Sequence, residues 1–305
     1  MKDVCVLIST YNGEKYIAEQ LDSVFQQKNV NLHIIVRDDG SKDSTIKILE
    51  KYNKTNECMD LYRGENLGVA HSFMAILKSA PDYDYYAFCD QDDWWDSMKL
   101  ANAINRLERF PGNQPNLYYS NLYVTDQRLN KLRNFLPSKY EGESKYSILI
   151  DNMAAGCTMV FNNSARKLLL ANNIPDYILM HDAWIHLICA FFGNVYYDSQ
   201  PFIKYRQHGN NTVGTRENKS VYKRIKEKWE RIVDKNLRPR EMLAYSFYNS
   251  YKDYFTSKER KHLLHLMNYR KSLKDKIKLL FDFKIKAPNL YRDFIYRILI
   301  ILGEA

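Results

Sequence analysis

Three carboxylates stand within four residues at Asp90-Gln91-Asp92-Asp93, directly after the apolar run 85–89. Carboxylates this close repel one another, so their place at the end of a buried strand favours a compensating cation. Oxygen ligands completed by phosphates and water are typical of magnesium or manganese sites in phosphate chemistry. Alternatively, Asp93 is only the N-cap of a following helix and Asp90 a turn residue. For the pair Asp90 and Asp92 the metal is the preferred interpretation.

Two later stretches could complete a site with this acidic segment. Asp182 lies in M-H-D-A-W, before an apolar helical pattern, and could be a general base or simply a helix N-cap. His208 follows Arg206 in Y-R-Q-H-G-N-N and could reach a diphosphate or a metal. A single histidine is equally compatible with a structural role.

Two earlier strand ends are also polar. Residues 9–13 read S-T-Y-N-G, where small hydroxyls and a glycine would let a base or ribose approach the backbone. Residues 37–41 read R-D-D-G-S, where a carboxylate could accept hydrogen bonds from a ribose or a pyrimidine imide. Ligands of open parallel sheets bind beyond the carboxyl ends of the strands, so these segments are expected to meet at one edge.

The elements that must position these residues alternate between strand and helix patterns. Strands are predicted at 4–9, 32–37, near 61 and at 85–89, with helices at 14–27, 45–52 and 70–79 between them. The last of these strands is apolar without alternation, as in a central strand buried on both faces. The pattern predicts an α/β fold with a mostly parallel, Rossmann-like central sheet flanked by helices.

The remainder of the chain is predicted to complete the sheet and then to become helical. A helix is expected over 94–110, and strands over 117–124, 158–161 and 195–197. The apolar pattern 185–192 predicts another helix. After Arg216 glycine is absent until Gly303, which favours helices broken near Pro239 and Pro288. The predicted domains are 1–215 and a C-terminal helical, basic extension, 216–305.

Charge separates these two parts. The chain of 305 residues has a net charge of +9, but residues 216–305 carry 23 basic and 11 acidic residues, and the remainder is nearly neutral. The extension interleaves its charges with aromatic residues, among them Tyr222, Trp229, Tyr245, Phe281 and Phe294. This composition favours an anionic membrane surface over nucleic acid, although a solvated helical bundle with ordinary basic faces is the alternative. The apolar run 294–302 is too short to span a bilayer.

The five cysteines are scattered without a C-x-x-C pair, and the N-terminal segment lacks a signal-peptide pattern. Both features favour a reduced, cytoplasmic protein.

Taken in order, these motifs resemble family 2 of the inverting nucleotide-sugar glycosyltransferases, which have the GT-A fold. The resemblance covers about residues 3–215 and rests on V-L-I-S-T-Y-N-G, V-R-D-D-G-S-K-D-S-T, G-E-N-L-G-V-A, F-C-D-Q-D-D-W-W, H-D-A-W and Y-R-Q-H-G-N-N. The form with D-Q-D-D and the last motif is similar to rhamnosyltransferase-type members that build bacterial polysaccharides.

The resemblance implies roles for individual residues. Asp182 matches the family's general base, here in a His-Asp pair where many members have Glu-Asp. Asp92 and His208 match the positions that bind the divalent metal, Mn²⁺ or Mg²⁺. Trp184 and Gly156 are assigned to the acceptor side, although Trp184 could equally be a core aromatic. The residues expected to bind the nucleotide sugar are Thr10, Tyr11, Asn12, Asp39, Asp90, Asp92 and Arg206.

The implied reaction is a single displacement that inverts the anomeric carbon. The expected donor is dTDP-L-rhamnose and the expected acceptor a lipid-linked glycan or polysaccharide, reached by a peripheral enzyme at the inner face of the plasma membrane. A homo-oligomer is compatible with the sequence, and nucleic acid is not an expected partner. The alternatives are a UDP-hexose or UDP-N-acetylhexosamine transferase of the same fold, or a non-catalytic carbohydrate-binding scaffold.

Overall fold

The computed structural model describes residues 1–172, 174–175, 177–208 and 239–303. Its first half alternates strands and helices as the sequence predicted, and the first four strands are parallel in the order β3-β2-β1-β4. Their carboxyl ends therefore share one edge of the sheet. These elements are β1 (Asp3–Thr10), α1 (Ile17–Phe25), β2 (Asn31–Asp38), α2 (Thr45–Thr55), β3 (Met59–Arg63), α3 (Val69–Ser79) and β4 (Tyr85–Cys89).

The second half extends the same sheet in the order β8-β6-β9-β5, with β7 paired to the edge of β6. The long β6–β9 ladder is parallel, whereas β8 is antiparallel to both β4 and β6. These elements are β5 (Trp94–Trp95), α4 (Lys99–Leu107), β6 (Asn116–Thr125), β7 (Lys131–Asn134), β8 (Val160–Asn162), α5 (Asn163–Leu170), α6 (His181–Phe192) and β9 (Asn194–Arg206).

The predicted helix over 94–110 is wrong at its start. Trp94 and Trp95 form a short strand that pairs antiparallel with Lys204 and Ile203 of β9, and the helix begins only at Lys99. The helical spacing of the apolar residues correctly predicts the helix from Lys99 onward. At Trp94 and Trp95, pairing with a strand more than 100 residues away takes precedence over the local helical pattern.

The core lies on both faces of the central strands. Residues 4–8 of β1 and 85–89 of β4 are buried, as expected for parallel strands covered by helices on both sides. Helix α6 is buried around most of its circumference, which explains why its sequence is apolar without a polar face. All five cysteines are free, and four of them are buried.

The chain divides into two compact units. The first comprises residues 1–142, 154–173 and 180–208; the second comprises 143–153, 174–179 and 209–305. The predicted boundary near 216, with Tyr222 and Trp229, lies outside the described residues. The second unit contains helices α7 (Pro239–Tyr251), α8 (Ser257–Asn268), α9 (Leu273–Leu280) and α10 (Leu290–Leu302). Within the described ranges, no helix is long and apolar enough to cross a bilayer.

Gly193 fixes the position of α6 against the sheet. It ends this helix, and a Cβ at this position would lie 1.8 Å from the carbonyl oxygen of Pro115, which also accepts the N–H of Asn194 at 2.9 Å. We expect Gly193→Ala to destabilise the protein by about 1–3 kcal/mol, because the backbone must move to admit the methyl group. Urea unfolding measures this difference. Gly112→Ala is the matched control, since nothing lies within 4 Å of the added carbon, and equal stability of the two variants would contradict the argument.

Candidate active site

The acidic segment emerges from β4 into a buried region. Burial, reinforced by the neighbouring charges of Asp92 and Asp182, raises the pKa of Asp90 to about 7. Burial also raises the pKa of Asp93 well above its usual range, again reinforced by its two carboxylate neighbours. Raised pKa values mean that negative charge is under-compensated here, so the segment favours either protons or a bound cation.

Asp92 and His208, the two predicted metal ligands, lie side by side. Asp92 Oδ2 is 2.7 Å from His208 Nε2, and each side chain is less than 15% exposed. The imidazole stacks on Tyr16 with ring centroids 4.9 Å apart. Burial raises the pKa of Asp92 and the hydrogen bond with His208 lowers it in part. A carboxylate and an imidazole beside under-compensated acids fit a divalent cation such as Mn²⁺ or Mg²⁺.

A second cluster includes the other two carboxylates of the acidic segment. Ligand atoms of Asp90, Asp93 and Cys157 lie within 4.8 Å of one another. Burial and the two carboxylates raise the pKa of Cys157 well above its usual range, so the thiol stays protonated and hydrogen-bonds to the acids. A neutral thiol is a poor ligand for a hard cation. This cluster therefore serves to hold the acidic segment.

Asp93 has a structural role different from the one considered from the sequence. The N-cap of α4 is Met98, so the interpretation of Asp93 as an N-cap is wrong. Its Oδ1 instead accepts the backbone N–H of Arg206 at 3.2 Å. Nearby, Lys99 is fully buried with its ammonium 3.6 Å from the centre of the Trp95 ring, and burial lowers the pKa of Lys99 to about 8.

Arg206, predicted to bind the nucleotide sugar, is 3% exposed and directed into the protein. Its guanidinium donates to the carbonyl of Asp92 at 3.0 Å, to the carbonyl of Gln127 and to Glu19 Oε2 at 2.5 Å, and it lies over the Tyr16 ring. The prediction of direct donor contact is therefore corrected. Arg206 positions the backbone of the acidic segment.

Asp182 lies in the first turn of α6. Met180 is the N-cap, so the N-cap interpretation of Asp182 is wrong. Its Oδ1 accepts the N–H of Ala183 at 2.6 Å, and its Oδ2 accepts the N–H of Gly156 at 3.1 Å. A Cβ at Gly156 would lie only 3.2 Å from Asp182 Cβ, so glycine permits this close approach. Two backbone donors and the positive end of the helix dipole thus orient and stabilise the carboxylate.

The two aromatic side chains flanking Asp182 in sequence are core residues. Trp184 is 1% exposed, so the prediction that it stacks on an acceptor sugar is wrong: α6 is buried on the side that carries it. His181 stacks on Phe73 with centroids 4.0 Å apart and meets Phe88 edge-on. Burial lowers the pKa of His181 to about 3, so this ring is neutral and packs as an aromatic group.

The predicted donor-binding loop after β1 is tied to the loop after β2. Thr10 Oγ1 donates to Asp38 Oδ2 at 3.0 Å, the N–H of Asn12 donates to Ser41 Oγ at 2.8 Å, and Asn12 Oδ1 accepts the N–H of Lys42. Asn12 has a positive φ of 49°, a conformation that asparagine tolerates. Tyr11 projects from this loop with 44% of its surface exposed. Of the predicted trio, Tyr11 and Asn12 are exposed to a ligand and Thr10 is buried.

Asp39 is 3% exposed and engaged with the segment that leads into α3. Its carboxylate accepts the N–H groups of Leu67 and Gly68 at 3.0 and 2.9 Å and pairs with Arg37. A nucleobase could reach this carboxylate only by taking over one of these hydrogen bonds. The structure thus places Asp39 at the predicted edge of the sheet, with its oxygens already hydrogen-bonded.

Gln91 is a positioning residue outside the set of predicted site residues. Its Oε1 accepts the N–H of Tyr11 at 2.9 Å and its Nε2 donates to the carbonyl of Tyr11 at 3.1 Å, so one side chain joins the two loops. A Cβ at Gly13 would lie 2.3 Å from Gln91 Oε1, so glycine is required beside the amide. No periodicity or charge signal in the sequence indicates this contact.

We expect Mn²⁺ to stabilise the protein, because a cation bound by Asp92 and His208 relieves repulsion among the acids. At a concentration one hundred times its dissociation constant the gain is about 2.7 kcal/mol, read as a higher thermal midpoint. Asp92→Asn should lose most of this gain. Asp60→Asn, which removes an exposed carboxylate of β3, is the control. Equal stabilisation of Asp92→Asn and the wild type would rule out Asp92 as a ligand.

Comparisons with known proteins bear on the family and the fold of this chain. A family model described as Glycosyl transferase family 2 matches residues 5–169. The dTDP-rhamnosyl transferase RfbG of Shigella flexneri is 32% identical over 241 residues, which cover 73% of this chain and 81% of that protein.

Solved structures share the fold at lower identity. Residues 1–349 of TarS from S. aureus in complex with UDP-GlcNAc give a TM-score of 0.57 at 16% identity, covering 100% of this chain and 93% of that one. The mannosyltransferase PcManGT from Pyrobaculum calidifontis, in complex with GDP-Man and Mn²⁺, gives 0.53 at 19% identity, covering 98% and 80%. The match to the family model and the similarity to RfbG show the family, and the solved structures show the fold. This chain is a member of glycosyl transferase family 2 and has the GT-A fold.

Proposed function

We propose that this glycosyltransferase transfers L-rhamnose from dTDP-L-rhamnose to a lipid-linked glycan or polysaccharide of the bacterial cell surface, with inversion. The observation that carries the site assignment is the convergence of Asp92, His208 and Asp182 on Asp90 at the carboxyl end of β4. The similarity to RfbG, a dTDP-rhamnosyl transferase, supports the choice of sugar. The same site would also suit a uridine-diphospho hexose or N-acetylhexosamine, which is the second candidate because TarS has been solved with UDP-GlcNAc.

Asp182 is the base in this proposal. Its carboxylate accepts the proton of an acceptor hydroxyl while that oxygen attacks the anomeric carbon, and the bond from this carbon to the diphosphate oxygen breaks. A single displacement of this kind inverts the configuration. The N–H groups of Gly156 and Ala183 hold the carboxylate in one orientation. A divalent cation bound by Asp92 and His208 would neutralise charge that develops on the departing diphosphate.

The test of the donor is a panel of nucleoside-diphospho sugars assayed by thermal shift and by hydrolysis, with Mn²⁺ and with chelator. We expect dTDP-L-rhamnose to stabilise the protein in a metal-dependent manner. A response confined to UDP-glucose, UDP-galactose or a UDP-N-acetylhexosamine would overturn the rhamnose assignment and keep the enzyme class. A protein that responds to none of these donors would support the non-catalytic scaffold.

We expect Asp182→Asn to lower turnover by about 10²- to 10⁴-fold, because the amide cannot accept the proton. Donor binding should remain within a few-fold of the wild type, since the amide keeps the shape of the side chain. Turnover is measured with the donor identified by the panel, and donor affinity by titration calorimetry. Asp60→Asn serves again as a control for removal of a carboxylate. Full activity of Asp182→Asn would exclude it as the base.

We expect Gln91→Ala to raise the KM for the donor by about 5- to 30-fold, with a smaller effect on kcat. Two neutral hydrogen bonds contribute about 1 kcal/mol each, and their loss frees the Tyr11 loop from the acidic segment. Gln91→Glu should be at least as impaired, because a carboxylate cannot donate to the Tyr11 carbonyl and adds charge beside Asp90. Gln26→Ala, at an exposed glutamine that ends α1, is the control. A decrease in kcat alone would contradict this positioning role.

The proposal includes a place at the inner face of the plasma membrane, where a lipid-linked acceptor is accessible. The basic, aromatic composition of residues 216–305 supports this location.

A further inference from the structure

Helix α10 is apolar on two separate faces. Tyr296, Leu299 and Ile300 are buried in the second unit. At 100° per residue, a different set of apolar residues falls within about one third of the circumference, on the side turned away from these three. The members of this second set are Leu290, Phe294, Ile298, Ile301 and Leu302, and each is between 36% and 91% exposed. A helix that only packed against its own unit would carry polar residues here.

Helix α9 and the turn after it repeat this pattern. Leu273 and Ile277 lie one turn apart on α9, Phe281 follows one turn later, and Phe283 lies in the connection to α10. All four are at least half exposed. Isolated exposed apolar residues need no explanation, but a run of them at helical spacing on successive helices indicates a binding surface. We refer to the exposed residues of α9, α10 and the connecting turn as the apolar face.

The charges around the apolar face are predominantly basic. Between 271 and 303 the chain has eight basic and three acidic residues. Each acid is already engaged within the unit: Asp275 contacts His265 at 2.8 Å, Asp282 contacts His262, and Asp293 contacts Arg297 at 3.4 Å. The exposed lysines of this region are Lys271, Lys274, Lys278, Lys284 and Lys286.

Like charges also crowd together at this surface. The nearby positive charge of Lys258 lowers the pKa of Lys284. A surface that gathers lysines around apolar and aromatic side chains is complementary to a layer with anionic headgroups above hydrocarbon, because lysine stems can extend along the apolar region while the ammonium reaches the phosphates.

We propose that the apolar face is a docking surface for an anionic phospholipid bilayer, which deepens the membrane association included in the proposed function. Helix α10 has 13 residues and is about 20 Å long, so it can lie in the interface but cannot cross it. A second copy of this chain is a poorer occupant, since self-pairing of the face would bring its lysines against one another. The exposed apolar side chains of the apolar face insert into the bilayer, and the lysines of α9 and the turn contact the headgroups.

The test is co-sedimentation of the full chain with vesicles of phosphatidylcholine alone and of phosphatidylcholine with 30% phosphatidylglycerol. We expect binding to the anionic vesicles, weakened by salt, and little binding to the neutral ones. The double variant Phe294→Asp/Ile298→Asp should reduce partitioning at least tenfold, because it removes inserted apolar surface and adds negative charge. Lys274→Gln/Lys278→Gln should reduce it about tenfold by weakening headgroup attraction.

Leu132→Asp is the matched control, an exposed apolar residue of β7 in the other unit, and it should bind vesicles like the wild type. Thermal unfolding and donor hydrolysis verify that every variant is folded, and donor hydrolysis tests the proposed activity separately from docking. Wild-type binding equal to that of Phe294→Asp/Ile298→Asp would overturn the proposal. The proposal would also be overturned if the wild type did not bind vesicles but formed a dimer in light scattering, and if Phe294→Asp/Ile298→Asp abolished that dimer. This outcome would favour self-association.

Discussion

Asp90, Asp92 and Asp93 are held together at the buried end of one strand. Their charges repel one another, and burial disfavours the charged form of each carboxyl group. Their environment limits this cost in three ways: a protonated thiol from Cys157, the buried ammonium of Lys99, and the Arg206 backbone and guanidinium. None of these groups cancels the charge fully, as the raised pKa values of Asp90 and Asp93 show. The remaining attraction for positive charge is consistent with the divalent cation of the proposed function.

The two-residue strand β5 is what brings His208 to this place. Its antiparallel register pairs Trp94 with Lys204 and Trp95 with Ile203, and continuing that register by two residues sets Arg206 opposite Asp92. Arg206 then bonds to the Asp92 carbonyl, and His208 follows within reach of the Asp92 carboxylate. A slip of one residue would turn each of these side chains to the other face of the sheet. The edge pairing therefore determines which residues meet at the site.

The sequence predicted the parts of the protein that depend on local pattern. Alternating strands and helices gave the parallel half of the sheet, and polar residues at strand ends indicated which edge carries the site, because both signals follow from periodicity. The sequence could not give contacts between distant segments. The strand at Trp94, the amide of Gln91 against Tyr11 and the inward direction of Arg206 each depend on a partner at least 79 residues away. Trp184 was assigned to a ligand because aromatic type alone does not reveal burial.

The two units carry uncompensated charge of opposite sign. In the first, acids are gathered in a buried place and need positive charge from outside; in the second, the acids of α9 and α10 are paired internally and the lysines are left exposed. In the proposed function, the divalent cation that accompanies the nucleoside diphosphate supplies positive charge to the first unit. An anionic lipid surface supplies negative charge to the lysines of the second unit. Confining the enzyme to the surface that contains its acceptor raises the effective acceptor concentration without any further contact to the glycan. A chain of this kind can accept weak recognition of the growing glycan, because the membrane supplies proximity and the site supplies chemistry.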